Sequence, residues 1–232
     1  MKKSGLISTM IIITLLILGA GGCDNNNDDT KDMLLLGILS GPDPLLYENF
    51  SSFDIDDVPT ADWAFVDGTA NLNGIKGTEK AISMNTGNCC SVYSGTGSGS
   101  WTDYTLRFKM KTDSAINIYG FYIRIQTGAE PAASYYYLVL DGTTDNFTLT
   151  KNTPAGAGSS TLTSGPVFDM PAGTYINFRI AVQGNNIKAY INNNAVPFLD
   201  YTDTVDPLLD GSIGFGCSSS NTYVDNILVT PL

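Results

Sequence analysis

The chain has 232 residues, with 23 acidic against 12 basic side chains, a formal net charge of −11 and no histidine. Acidity of that size argues against nucleic acid or an anionic membrane surface as a partner, because both are bound through clustered Lys and Arg. The missing histidine excludes Ser-His-Asp and Cys-His catalysis and most catalytic zinc sites, leaving carboxylate chemistry or calcium, which takes oxygen ligands.

Lys2 and Lys3 precede an apolar run from Met10 to Leu18, which closes on Gly19-Ala20-Gly21-Gly22-Cys23. A positive start, an apolar centre and small residues at the end form the layout of a secretory signal peptide. The apolar segment Leu6 to Ala20 is shorter than the roughly 20 residues of a membrane-spanning helix. Ala-Gly-Gly-Cys resembles the lipobox of bacterial lipoproteins. That resemblance implies a signal peptide over residues 1–22 and lipid on Cys23, the first residue of the mature chain. The protein would then be held at the bacterial cell envelope through that lipid only, on the periplasmic side of a membrane or at the cell surface. An ordinary secreted protein cut near Ala20-Gly21 is the alternative. Loss of Lys2 and Lys3 leaves 10 basic and 23 acidic residues, a balance of −13.

Residues 23–44 read as a tether. Asp24 to Asp32 is polar, acidic and free of aromatics, the composition of a disordered segment. Met33 to Leu39 is a short apolar island before Gly41-Pro42-Asp43-Pro44.

From residue 45 to 232 the pattern is that of β-strands. Tyr104, Leu106, Phe108 and Met110 alternate with Asp103, Thr105, Arg107, Lys109 and Lys111, as in a strand with one wet face. Phe121, Ile123 and Ile125 alternate with Tyr122, Arg124 and Gln126. Further runs rich in β-branched and aromatic residues are Tyr135–Leu140, Phe147–Lys151, Tyr175–Gln183, Ile187–Asn192, Gly211–Cys217 and Tyr223–Val229. Gly184-Asn185-Asn186 between two of them predicts a tight hairpin, because Gly and Asn tolerate positive φ. No stretch sustains a period near 3.6. The spacing predicts an all-β, two-sheet antiparallel sandwich.

With Cys23 assigned to lipid, Cys89, Cys90 and Cys217 remain. If Val92 faces inward, so does Cys90, and Cys217 shares parity with Ile213 and Phe215. A Cys90–Cys217 disulfide is the pairing preferred here. Cys89–Cys217 and a vicinal Cys89–Cys90 bridge stay open.

The order of segments carries more than their period. WTDYTLRFKMK (Trp101–Lys111) precedes GFYIRIQ (Gly120–Gln126) and YYYLVLDG (Tyr135–Gly142). NFTLTKN (Asn146–Asn152), INFRIAVQGNNIKAYINN (Ile176–Asn193) and GSIGFGCSSSNTYVDNILV (Gly211–Val229) follow. This resembles the concanavalin A-like lectin/glucanase superfamily, in the branch of LamG domains, family 66 carbohydrate-binding modules and 3-keto-disaccharide hydrolase (DUF1080) domains. The resemblance runs from Glu48 to Val229. In that branch an opening "DDF"-like segment pairs with a late "DN(I/V)xV" strand, matched here by Glu48-Asn49-Phe50 and Asp225-Asn226-Ile227-Leu228-Val229.

The resemblance implies a jelly-roll sandwich whose concave sheet binds the ligand on its outward face. The family's Arg in the "fR" strand and Tyr in the "YY" strand map onto Arg124 and Tyr136, with Tyr122 expected beside Arg124. A planar ring stacks on the C–H face of a sugar while a guanidinium fork fixes hydroxyls or a carboxylate. Set against this, the tyrosines serve as ordinary cross-strand pairs. Trp63 and Trp101 read as structural. Glu48 and Asp225 are the candidate ligands of a structural calcium, needing help from other oxygens. The superfamily's glycosidases carry E-x-D-x-x-E on one strand, and no such run occurs among Glu48, Glu79 and Glu130. The expected function is a non-catalytic, glycan-binding envelope lipoprotein. The alternatives are a glycoside-processing enzyme of the 3-keto-disaccharide hydrolase type, drawing on Asp141, Asp145 and Asp225, and a structural or adhesive protein without a small ligand.

Overall fold

In the computed structural model the alternating runs become fifteen strands among the described residues. The structure describes residues 42–57, 59, 61–66, 74–77, 80–84, 89–114, 118–126, 133–153, 158–167, 171–217 and 221–232. Residues 1–41, which hold the expected signal segment, Cys23 and most of the expected tether, lie outside them, as do Glu79 and Glu130. In chain order the strands are β1 (Leu46–Glu48), β2 (Trp63–Val66), β3 (Gly74–Lys76), β4 (Ala81–Met84), β5 (Cys89–Tyr93), β6 (Tyr104–Thr112), β7 (Ile118–Ile125) and β8 (Tyr135–Asp141). They continue as β9 (Asn146–Thr153), β10 (Gly158–Pro166), β11 (Ile176–Gln183), β12 (Asn186–Ile191), β13 (Leu199–Thr202), β14 (Ser212–Cys217) and β15 (Thr222–Pro231). Among the described residues the helical content is a single 3-10 turn, Ser98–Ser100.

Two antiparallel sheets result, the sandwich that strand spacing predicts. One has eight strands in the order β13-β12-β11-β6-β15-β4-β3, with β1 also on β15; the other has seven in the order β10-β9-β8-β7-β14-β5-β2. The opening segment lies on the late strand, with Leu46 opposite Val229 and Glu48 opposite Ile227. The Gly184-Asn185-Asn186 turn joins β11 to β12 as a hairpin, Gln183 facing Asn186.

Phenylalanines lock the sheets together. Phe108 and Phe178 of the eight-stranded sheet stack at 5.3 Å. They meet Phe121 and Phe215 of the other sheet, with centroids 4.9 Å apart for Phe108–Phe215 and 5.1 Å for both Phe108–Phe121 and Phe121–Phe178. Edge-to-face rings at these separations each add of order 1 kcal/mol beyond the apolar area they bury. At one end an aromatic run passes from Phe50 through Trp63 and Tyr93 to Trp101 and Tyr104. Trp63 and Trp101 are buried, in the structural role expected of them.

A β-bulge reshapes β7. Ile123 pairs with Ile213 and Ile125 with Ser212, so Arg124 is one residue too many for the ladder. It takes φ of +54°, a left-handed conformation that non-glycine residues adopt rarely. An extra residue puts two consecutive side chains on one face. Ile123 and Arg124 both enter the interior, while Ile125 returns to the outer face beside Tyr122.

The premise for a Cys90–Cys217 disulfide does not hold. Val92 packs against the Tyr122 cluster on the outer face, not in the core. The register sets Cys217 opposite Cys89 and leaves Cys90 opposite Gly216.

One edge of the seven-stranded sheet is β10, GSSTLTSGP, largely exposed along its length and bulged between Thr161 and Thr163. Its polar composition hides it from an apolar-alternation reading.

Candidate binding face on the seven-stranded sheet

Parity along β8 separates three consecutive tyrosines. Leu138 and Leu140 are core residues, which places Tyr136 inward and Tyr135 and Tyr137 outward. The three residues expected to form one sugar site therefore divide between two environments.

Arg124 and Tyr136 are interior. Arg124 is 0 % exposed and Tyr136 1 %. The Arg124 guanidinium donates from Nη1 to the carbonyls of Gly184 (2.5 Å) and Leu208 (2.6 Å), and from Nη2 to that of Thr102 (2.9 Å). Asp103 lies 3.4 Å from Nη2 and also accepts from the Gly184 N–H at 2.8 Å. One side chain thus joins the β11–β12 turn, the lead-in to β6 and the loop before β14. Burial pulls the pKa of Arg124 down, and Tyr104 and Asp103 oppose that shift. The group stays cationic, since arginine keeps its proton in proteins. The bulge moved Arg124 off the groove, and simple alternation could not foresee it.

Tyr136 donates to Asp203 Oδ2 at 2.7 Å and accepts from the Leu208 N–H at 2.9 Å. Burial and the Asp203 carboxylate push its hydroxyl well above the ordinary tyrosine value. Lys151 donates to the same carboxylate at 2.8 Å and to the carbonyls of Val205 and Asp206. For Asp203 burial alone would raise the pKa. The bonds from Lys151, Tyr136 and the Val205 N–H overcome it and hold the carboxyl below its usual range.

Tyr122 stays on the outer face and gathers neighbours that the sequence reading left out. It stacks on Tyr137 at 4.4 Å and 27°, and meets Tyr135 edge-on at 5.2 Å. Tyr122 is 8 % exposed and Tyr135 9 %, while Tyr137 is half-buried. The register runs a row across the whole sheet: Ala64, Val92, Gly214, Tyr122, Tyr137, Thr150 and Thr161. The next row carries Gly216, Gly120, Val139, Thr148 and Ser164. Gly120 is needed because the Tyr137 ring lies over it: a Cβ there would sit 2.1 Å from Tyr137 Oη. The outcome is an aromatic cluster on a glycine floor, flanked by hydroxyls, with no charged side chain in either row. The signal for Tyr137 was available, as parity with Leu138 and Leu140 would have given it.

The three carboxylates named for catalysis do not share one site: two lie in one turn and the third on the other sheet. Asp141 closes the β8–β9 turn, accepting from the Thr143 N–H (2.8 Å) and hydroxyl (2.6 Å), bonds that lower its pKa. Asp145 is exposed in the same turn. Asp225 lies on β15, in the other sheet.

Glu48 and Asp225, the pair expected to hold calcium, are both engaged within the chain. Glu48 Oε1 accepts from the Phe50 N–H at 2.6 Å, while Asp225 is held by Lys109 at 3.1 Å and by the Asn226 N–H at 2.7 Å. Among the described residues no group of three acidic, histidine or cysteine side chains comes together. Calcium takes six to eight oxygens, more than this pair supplies. Burial raises the Glu48 pKa despite the bonds from Phe50 and Asn49.

With the geometry in place, comparison with known proteins is informative. An uncharacterized protein of Methanocaldococcus jannaschii is 25% identical over 194 residues, covering 80% of each chain. Among solved structures, the family 66 carbohydrate-binding module of Bacillus subtilis superposes with a TM-score of 0.56 at 15% identity, over 72% of this chain and 94% of that one. A glycoside hydrolase family 16 endo-glucanase from Bacteroides ovatus gives 0.58 at 12% identity, over 81% and 100%. These likenesses establish the concanavalin A-like jelly roll. Residues 55–230, well over half of the chain, match the 3-keto-alpha-glucoside-1,2-lyase-like domain, so the chain belongs to that family.

Proposed function

We propose that this protein is a non-catalytic glycan-binding lipoprotein, anchored to the cell envelope through Cys23, whose binding surface is the outer face of the seven-stranded sheet. The observation that supports the reading best is the Tyr122–Tyr137 stack, with the Tyr137 ring over Gly120. It offers flat apolar rings beside Thr148 and Thr150, the pairing that suits a pyranose or furanose. Arg124 and Tyr136 support this face from beneath by fixing the ends of β7 and β8; they do not touch the ligand.

Glycan-array screening followed by calorimetry on the chain with Cys23→Ser tests the reading. Binding to at least one neutral glycan, weakened at least tenfold by Tyr137→Ala, is the expected result. An empty array, or Tyr137→Ala binding as wild type, overturns it. Metabolic labelling with a radioactive fatty acid, lost in Cys23→Ser, is expected for the anchor.

Family membership favours a second reading, lyase chemistry on a 3-keto-glucoside. Against it stand the two uncharged central rows of the outer face and the separation of Asp225 from Asp141 and Asp145. Turnover of a 3-keto-glucoside by the purified chain would reverse the order of the two.

A further inference from the structure

The eight-stranded sheet presents the opposite kind of outer face. Arg107, Lys109, Lys111, Arg179 and Lys188, five of the 12 basic residues of a chain with net charge −11, alternate outward from β6, β11 and β12. Arg179 stands directly opposite Arg107 in the ladder and directly opposite Tyr190 on its other side. Its guanidinium lies 3.5 Å from the centroid of the Tyr190 ring. Lys109 and Lys111 lie over Tyr175 at 4.7 and 4.5 Å, and Lys111 lies 5.3 Å from the Tyr223 ring. Asp225 pairs with Lys109, and Asp200 with Lys188, each at 3.1 Å. Among the described residues no carboxylate lies within ion-pair distance of Arg107 or Arg179.

Two like charges directly opposite in a ladder repel, and such pairs destabilise a sheet. Burial, and the field of Arg179, pull down the Arg107 pKa. An anion shared by the two guanidinium forks reverses the sign of that interaction, and arginine forks match carboxylate and sulfate oxygens in paired hydrogen bonds. The rings beneath hold the cations in place, so less side-chain freedom is lost on binding. The acidic remainder of the chain disfavours a broad polyanionic surface, and a slender chain that touches only this strip avoids it.

We infer that the outer face of the eight-stranded sheet, centred on Arg107 and Arg179, binds the carboxylate or sulfate groups of an acidic polysaccharide. This site is separate from the tyrosine face and does not rest on it.

Affinity electrophoresis of the full mature chain in gels containing polygalacturonate, dextran sulfate or neutral dextran reads the proposal out. Retardation by at least one acidic polymer is expected, with none by dextran, fading as NaCl rises to about 0.5 M. Arg107→Gln with Arg179→Gln should weaken it at least tenfold while thermal unfolding stays cooperative. Tyr137→Ala should leave it unchanged, which separates failure here from failure of the tyrosine site. In the unliganded state Arg107→Gln alone should unfold at a slightly higher temperature, since the repulsion is gone. Wild-type retardation by the double variant overturns the proposal. So does binding only to vesicles rich in anionic lipid, or to duplex DNA, or retardation that appears only after Asp24, Asp28, Asp29 and Asp32 are changed to Asn.

Discussion

The two outer faces of this sandwich cover the same phenylalanine core and share almost no chemistry. On the seven-stranded sheet the central rows hold tyrosine, glycine, threonine and valine, and their rings pack on each other. On the eight-stranded sheet the outward positions hold arginine and lysine, and there the rings pack under cations. Inward positions were constrained by the need to fill one interior, whereas outward positions were free to diverge. The faces are therefore where function should be sought, and each should respond to its own substitutions.

The largest expected effect destroys the comparison altogether. Arg124→Met removes every donor from the carbonyls of Gly184, Leu208 and Thr102, so urea denaturation should show a loss of about 3 to 5 kcal/mol. Both faces should then lose binding together, marking Arg124 as a support for both. Asp203→Asn comes next, about 2 to 3 kcal/mol through Lys151 and Tyr136. The wild type tests the same group by acid. The folded-state pKa of Asp203 is depressed, so its contribution is complete above about pH 4, near the unfolded value, and is lost as pH falls toward the folded value. Glu48, shifted upward by burial, works in the other direction, and Asp203→Asn should leave that limb intact. Denaturant midpoints measured from neutral pH into acid should show a shallower decline in the variant.

Gly120→Ala sharpens the contrast with a smaller change. Its Cβ would displace the Tyr137 ring, costing about 1 to 3 kcal/mol and weakening binding of neutral glycans while retardation by acidic polymer persists. Smallest of all is Arg107→Gln, a gain of a few tenths of a kcal/mol in thermal unfolding.

The fold was legible because its long strands alternate: YTLRFKMK reads as β6 without help, and Gly184-Asn185-Asn186 announces a hairpin. β10 was not, since serine, threonine and glycine at a wet edge leave no apolar period to follow. The site was half legible. Tyr122 was placed on the outer face of its strand, but Arg124 was assigned to that face because a bulge adds one residue that no local composition signals. Tyr136 was chosen over Tyr137 by the resemblance, against the parity set by Leu138 and Leu140. The cysteine pairing rested on one premise, the side to which Val92 turns, and Val92 turns outward.

The unassuming edge strand β10 has a consequence for crowding. Copies held close together on a surface would meet sheet edge to sheet edge, and an exposed run of unpaired amides invites them to zip into a continuous ribbon. A ribbon begun at this edge would start from a strand already kinked at Thr161 and Thr163 and lined with hydroxyls that water solvates well. Along this edge, neighbouring copies in a dense layer should stay separate molecules.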